Sequence, residues 1–343
     1  MKHCLFPPAG RPAAVLALLL LALGGAEAQT VKDREGAIRK DAKEMSDNER
    51  WIYNDADPEF AEAERTGKPL MVVLRCVPCM ACMGIDAEVL TENFEIASLM
   101  DEFVRVRVIN ANALDLSLFQ FDYDLSFSVL FFNADRTVYG RFGSWEHQKD
   151  GQSRATSGLR QALERVLVLH ENHDTYASSL AGKRGDPKPW RTPVDMPQLS
   201  GKYRPELDWN GQVVKSCVHC HQIGDALRLD LRDDGKLLPL SLIAPYPAPE
   251  TIGLHLRDEP VTRVDRVEKG SPAEKAGILP GDDLLFLDGQ PLVSVADIAW
   301  VLHQAPATGD VGVEVKREGG KENLTISLTE GWRRNADISR RVG

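Results

Sequence analysis

Lys and Arg (41) are outnumbered by Asp and Glu (51), which gives the 343-residue chain a formal net charge of −10. That balance excludes the footprint of a nucleic-acid-binding protein, which needs Lys and Arg clustered on a basic domain. After residue 23 no apolar run approaches the roughly 20 residues that a membrane-spanning helix requires. Internal repeats are absent, which argues against a solenoid. Cysteine is scarce and unevenly placed. Past Cys4 the chain has only Cys76, Cys79, Cys82, Cys217 and Cys220, in two tight groups. The scattered pairs that staple small secreted domains are missing. Tight groups point instead to redox pairs, metal ligands or haem attachment. Aromatic residues make up 7%, but hydrophobic content of 43% with 27% charged residues is ordinary for folded domains, so wholesale disorder is excluded.

What is present begins with a leader. Lys2 and Arg11 precede an unbroken apolar stretch from Ala13 to Leu23, and Ala26-Glu27-Ala28 supplies a small-x-small sequence. The stretch is short for a span and suits the core of a signal peptide. Cleavage is expected after Ala28, leaving an extracytoplasmic chain, periplasmic or secreted, with no stable membrane span. Cys4 would be lost with the leader.

Residues 29–50 are charged, lack an apolar period and read as a solvated lead-in. From Trp51 a pattern emerges. Asp57-Pro58 opens a predicted helix closed by Gly67, and Leu70 to Leu74 is a continuous apolar run, as in a strand buried on both faces. Cys79 to Met100 is predicted as helix, Phe103 to Ile109 and Val129 to Phe132 as strands, Thr137 to Phe142 as a hairpin partner, and Gly158 to His170 as amphipathic helix. This order predicts an α/β sheet covered by helices. Prolines from Pro187 to Pro205 mark a linker, and Pro239 to Pro249 mark a second boundary before short strands resume at Ile252. The expected division is leader 1–28, extension 29–50, α/β domain 51–178, linker with CxxCH 179–248, C-terminal domain 249–332 and tail 333–343.

The stretch Lys68-Pro69-Leu70-Met71-Val72-Val73-Leu74-Arg75-Cys76-Val77-Pro78-Cys79-Met80-Ala81-Cys82 resembles the active site of thioredoxin-like proteins. Such a site places a CxxC where a central strand turns into a helix, because the helix N-terminus stabilises thiolate. Two overlapping pairs are open, Cys76/Cys79 and Cys79/Cys82. The spacing from the strand favours Cys79 as nucleophile and Cys82 as resolving thiol, with Cys76 as an extra thiol able to exchange with Cys79. The family usually places a proline before the facing strand, whereas this chain has Ser126-Phe127-Ser128-Val129. Three cysteines at this spacing could alternatively hold zinc or an iron–sulfur cluster with a fourth ligand.

Cys217-Val218-His219-Cys220-His221 matches the attachment signature of haem c. Cys217 and Cys220 would bond the vinyl groups and His221 would ligate iron, with Met196 or His255 as the sixth ligand. A zinc knuckle or a redox CxxC with an incidental histidine is the alternative, and His219 inside the motif adds weight to it.

Ile252-Gly253-Leu254-His255-Leu256, Val264 to Ile278, Leu279-Pro280-Gly281-Asp282 and Val295 to Gln304 follow one another as in bacterial PDZ domains. That resemblance implies a small, partly open β-barrel with two helices. A partner's C-terminus would add as a strand near Gly253, Leu254 and Leu256, against a groove helix presenting Ala296 and Trp300. The whole chain resembles the bacterial family of thioredoxin-like/PDZ-domain (seleno)proteins. The resemblance implies a multidomain redox protein, a thiol–disulfide oxidoreductase with a redox client. A non-enzymatic adaptor or a haem electron carrier is the alternative.

Overall fold

The structure is a computed structural model. It describes residues 34–54, 57–77, 94–125, 127–143, 152–257 and 262–338. The expected leader, Cys79, Cys82 and Ser126 lie outside the described residues.

Two sheets organise the chain. The first has the order β1-β3-β2-β4-β5, formed by β1 (Ile52–Tyr53), β2 (Leu70–Arg75), β3 (Val104–Val108), β4 (Phe127–Phe132) and β5 (Val138–Phe142). β1 and β2 run parallel to β3, while β4 is antiparallel to both β2 and β5. Every residue of β2 is buried, because both faces of this central strand are covered. Met71 and Val73 face one core with Ile96, Met100, Leu159 and Leu163, drawn from α3 (Phe94–Met100) and α4 (Gln152–Glu171). Leu70, Val72 and Leu74 face the other core with Phe60 of α2 (Asp57–Thr66). This period-2 division of a uniformly apolar run is why the sequence reads as a strand without alternation.

The described part of the lead-in is mostly exposed, as expected, but it is helical and buries one edge. Residues 34–46 form helix α1, with Ile38, Asp41 and Met45 buried. Its charged composition hides one apolar edge and one ion pair. Asp41 accepts Arg107 Nε at 3.0 Å and the Tyr53 hydroxyl at 3.0 Å, so the helix is tied to β3 and β1. Burial, with Asp41 alongside, raises the Tyr53 pKa well above its ordinary value.

Residues 179–248 also depart from expectation. They do not swing free as a linker but complete the second core. Met196, Leu199, Val218, Ile223 and Ala226 pack beneath β2 and β4. α4 leads to α5 (His173–Leu180), and the chain then crosses the sheet as irregular turns to α6 (Val213–Ser216), α7 (Cys220–Asp233) and α8 (Leu240–Ile243). The prolines between Pro187 and Pro205 keep that stretch free of α-helix and strand, but its spaced apolar residues still reach the sheet.

The C-terminal domain pairs β6 (Leu254–Leu256) with β7 (Val264–Val267). It follows with α9 (Pro272–Lys275) and a four-stranded sheet, β11-β10-β8-β9. That sheet comprises β8 (Asp283–Leu287), β9 (Gln290–Pro291), β10 (Gly309–Arg317) and β11 (Gly320–Leu328). α10 (Val295–Gln304) closes the core. Arg333, placed in a tail by the sequence, is buried and donates to the carbonyls of Leu302 (2.9 Å) and Ala305 (3.0 Å), satisfying the end of α10.

The domains touch where β5 meets α10. A Cβ on Gly140 would lie 2.6 Å from Val293 Cγ2, so only glycine permits this approach. Asp297 sits in the seam, 2.9 Å from Lys183 Nζ, and its carboxylate accepts the backbone N–H groups of Val293 (2.9 Å) and Arg141 (3.2 Å).

Candidate functional site

β2 ends at Arg75, and Cys76 follows directly at the C-terminal edge of the central strand. Across from it, Arg75 pairs with Phe127 and Leu74 with Ser128, so the proline-free strand β4 lies alongside the end of β2 that leads into Cys76. Cys79 and Cys82 follow outside the described residues.

The CVHC segment comes back to this point. Cys76 Sγ lies 3.1 Å from His219 Nδ1, a contact between residues 143 positions apart. Cys76, Cys217, His219 and Cys220 line one cavity of about 10 Å³, closed by Ile38, Leu74, Ile109 and Leu207. Sequence reasoning treated the two motifs as separate sites. One signal for their meeting was present: both read Cys-Val-x-Cys, at 76–79 and 217–220.

The segment is held by a specific set of bonds. Asn112, fully buried, accepts Val218 N–H at 2.7 Å and donates Nδ2 to the carbonyls of Arg204 (2.6 Å) and Ser216 (2.8 Å). His219 is the N-cap of α7; its N–H donates to Gln222 Oε1 at 2.8 Å, and Gln222 Nε2 donates to the Tyr203 hydroxyl at 2.9 Å. Cys220 is the first residue of that helix, and Ile223 anchors it in the sheet core.

Electrostatics differ among the members. Burial pushes the Cys217 thiol up to about 12, with Cys76 adding to the shift. Cys220 is raised further, again chiefly by burial and then by Cys76. Both are therefore protonated thiols at neutral pH when reduced. Burial lowers the His219 pKa, and the neighbouring His221 and Arg34 add to the shift. A neutral imidazole beside a thiol is the arrangement that accepts its proton.

The residues do not fit haem in this packing. A cavity of about 10 Å³ holds at most one water, whereas ligand pockets run to roughly 300–1,000 Å³. His221, the expected iron ligand, does not line the cavity. It stacks on His219 with ring centroids 5.8 Å apart and lies 3.8 Å from Asp225 at the half-exposed surface. Among the described residues no group of three or more His, Cys, Asp or Glu is arranged to hold a metal ion. Met196 is fully buried in the sheet core, and His255 contacts Glu268 at 2.6 Å on the C-terminal domain, so neither stands over His221.

In the C-terminal domain, Gly253 has φ +80°, and a Cβ there would come within 2.2 Å of Ser271. It turns the chain into Leu254, which is buried, and Leu256, which is half-buried. Among the described residues β6 bonds only to β7 in its sheet, leaving its other edge for an added strand. Ala296 is half-buried in the first turn of α10. Trp300 is different from expectation. It is buried, its Nε1 donates to Gly182 O at 3.0 Å, and the Arg141 guanidinium lies 3.7 Å over its ring. Trp300 therefore seals the junction with the first domain and is not a groove residue.

A family model described as thioredoxin-like matches residues 51–134, and one described as a PDZ domain matches residues 251–328. The chain therefore joins a thioredoxin-like domain to a C-terminal PDZ domain, as its sequence implied. Among curated proteins, a DegP-like periplasmic serine endoprotease of Pseudomonas putida is 32% identical over 95 residues, covering 27% of this chain and 19% of that protein. The serine protease Do-like HtrB of Bacillus subtilis is 38% identical over 68 residues, covering 20% of this chain and 15% of that protein. The chain thus spans less than a fifth of the length of either relative. A solved HtrA-type protease with decapeptide is 19% identical with a TM-score of 0.22, covering 30% of this chain and 32% of that one. No described helix is long and apolar enough to cross a membrane.

Proposed function

We propose that this chain is an exported thiol–disulfide oxidoreductase whose PDZ domain recruits protein clients by their C-termini. The observation that carries the reading is the meeting of Cys76, at the end of the central strand, with the imidazole of His219 at 3.1 Å. A thiol beside a neutral imidazole at the mouth of a thioredoxin-like sheet is disposed to lose its proton and exchange with disulfides. In this reading Cys79 attacks the client disulfide, Cys82 resolves it, and Cys76 communicates with the rest of the chain. Export rests on the leader ending near Ala28, and the periplasmic relatives favour the same compartment.

The PDZ contribution is strand addition at the open edge of β6, with the turn at Gly253 receiving the terminal carboxylate. The test compares the mature chain with Cys79→Ser in an insulin-reduction assay driven by dithiothreitol. The expected result is loss of most of the activity in the variant. Full activity in Cys79→Ser would sink the oxidoreductase reading and leave a PDZ adaptor on a thioredoxin-like scaffold. Haem c at Cys217, Cys220 and His221 is tested separately, by the reduced-minus-oxidised absorption spectrum of chain matured with haem-attachment machinery. We expect no α and β bands.

A further inference from the structure

We propose that the CVHC segment is the resident exchange partner of the cysteine triplet, so that Cys76 and the Cys217/Cys220 pair trade a disulfide within one molecule. This rests on the oxidoreductase reading and gives that site an internal partner. Four observations converge. Cys76, Cys217 and Cys220 line one cavity that a single water would fill. The residue between the two cysteines of the second motif, His219, is the one that touches Cys76, at 3.1 Å. Asn112, Gln222 and Ile223 fix that segment on the thioredoxin-like sheet, so the approach is built into the fold. Finally, the motif's signature histidine for haem, His221, does not line that cavity and lies 3.8 Å from Asp225. Haem does not fit the space, and the described residues form no metal cage.

The exchange balances without an outside oxidant. In the direction that starts from a Cys217–Cys220 disulfide, His219 accepts the Cys76 proton at Nδ1. The Cys76 sulfur attacks one sulfur of that disulfide. The Cys217–Cys220 bond breaks, a mixed disulfide to Cys76 forms, and the released thiolate takes the proton back from His219. A second triplet thiol, Cys79 of the same Cys-Val-x-Cys, then attacks the Cys76 sulfur and frees the second thiol of the pair. Two electrons and two protons have moved from the triplet to the CVHC pair, and the reverse reaction follows the same path.

The experiment uses the full mature chain as Cys217→Ser and Cys220→Ser, each reduced, then exposed to glutathione disulfide, acid-quenched, alkylated and mapped by mass spectrometry. Wild type is mapped alongside over time, so the measurement does not depend on the variants alone. The expected result is a peptide joining Cys76 to the remaining motif cysteine in at least one variant, with loss of both alkylation sites. Wild type should end with Cys217 joined to Cys220. Absence of any disulfide between the two motifs in both variants and in the wild-type time course would overturn the proposal. So would stoichiometric zinc on reduced thiols, or haem bonded to Cys217 and Cys220. If wild type reduces insulin while no cross-motif disulfide forms, the relay fails and the oxidoreductase stands. If a cross-motif disulfide forms without client turnover, the internal exchange stands and the oxidoreductase reading fails.

Discussion

Asn112 carries more of the site than any cysteine does by contact alone. Its side chain satisfies one N–H and two carbonyls of a segment about 100 residues away, and it is shut off from solvent. Replacing it by alanine leaves the Val218 N–H buried and unpaired, which costs about 1–3 kcal/mol. We expect Asn112→Ala to lower stability by that amount in urea unfolding and to speed alkylation of Cys217. The pH behaviour of Cys217 gives a second expectation. Its folded pKa is raised to about 12 from an ordinary 9.0. The unfolded thiol therefore ionises first, so its contribution is intact below pH about 9 and is lost as pH rises toward 12. Urea unfolding of the reduced protein should show an alkaline loss of stability that is smaller in Cys217→Ser, the remainder coming from Cys220 and the buried Tyr53, whose pKa values are also raised. Equal alkaline slopes would contradict the burial-driven shift.

Among the elements, α7 decides whether the CVHC motif stays on the sheet. Ile223, fully buried, is its anchor beneath β2 and β4. Ile223→Ala is expected to cost about 2–5 kcal/mol, measured by thermal unfolding. The core strands were legible in the sequence because runs such as Leu70 to Leu74 and Val129 to Phe132 declare burial on both faces. The PDZ elements were legible from the turn at Gly253 and the helix that Ser294 caps, its Oγ accepting Ala296 N–H at 3.0 Å. Helix α1 was not legible, since its one buried charge, Asp41, looks solvated until Arg107 is placed opposite it. The packing of the 179–248 segment is hidden in the sequence for a related reason. Proline spacing reports the absence of regular structure, not the absence of packing. Met196, Leu199 and Val213 are too widely spaced to show a period, yet all are buried. The meeting of the two cysteine motifs leaves only their shared Cys-Val-x-Cys in the sequence, because no local pattern encodes a contact across 143 positions.

At the scale of the whole molecule, the junction of the two domains is polar at its centre. Asp297 lies 2.9 Å from Lys183 Nζ, and Arg141 donates from Nε to Gln120 O at 2.7 Å and from Nη2 to Lys183 O at 2.7 Å. Burial lowers the pKa of both cations, and Asp297 is the first influence opposing it. Removing one partner of such a pair strands a buried charge, so Asp297→Ala should cost about 3–5 kcal/mol. Calorimetry and limited proteolysis check this, with cleavage rising on both sides of the junction; an unchanged melting temperature would refute it. The close approach at Gly140 has a consequence for inheritance. A PDZ domain borrowed from another chain would bring side chains of its own to a seam shaped for Val293 and Asp297, and it would leave Lys183 and Arg141 without their counter-charge. The two halves are therefore not interchangeable cassettes: a change on either side of the seam requires a matching change on the other, and the pair must vary together.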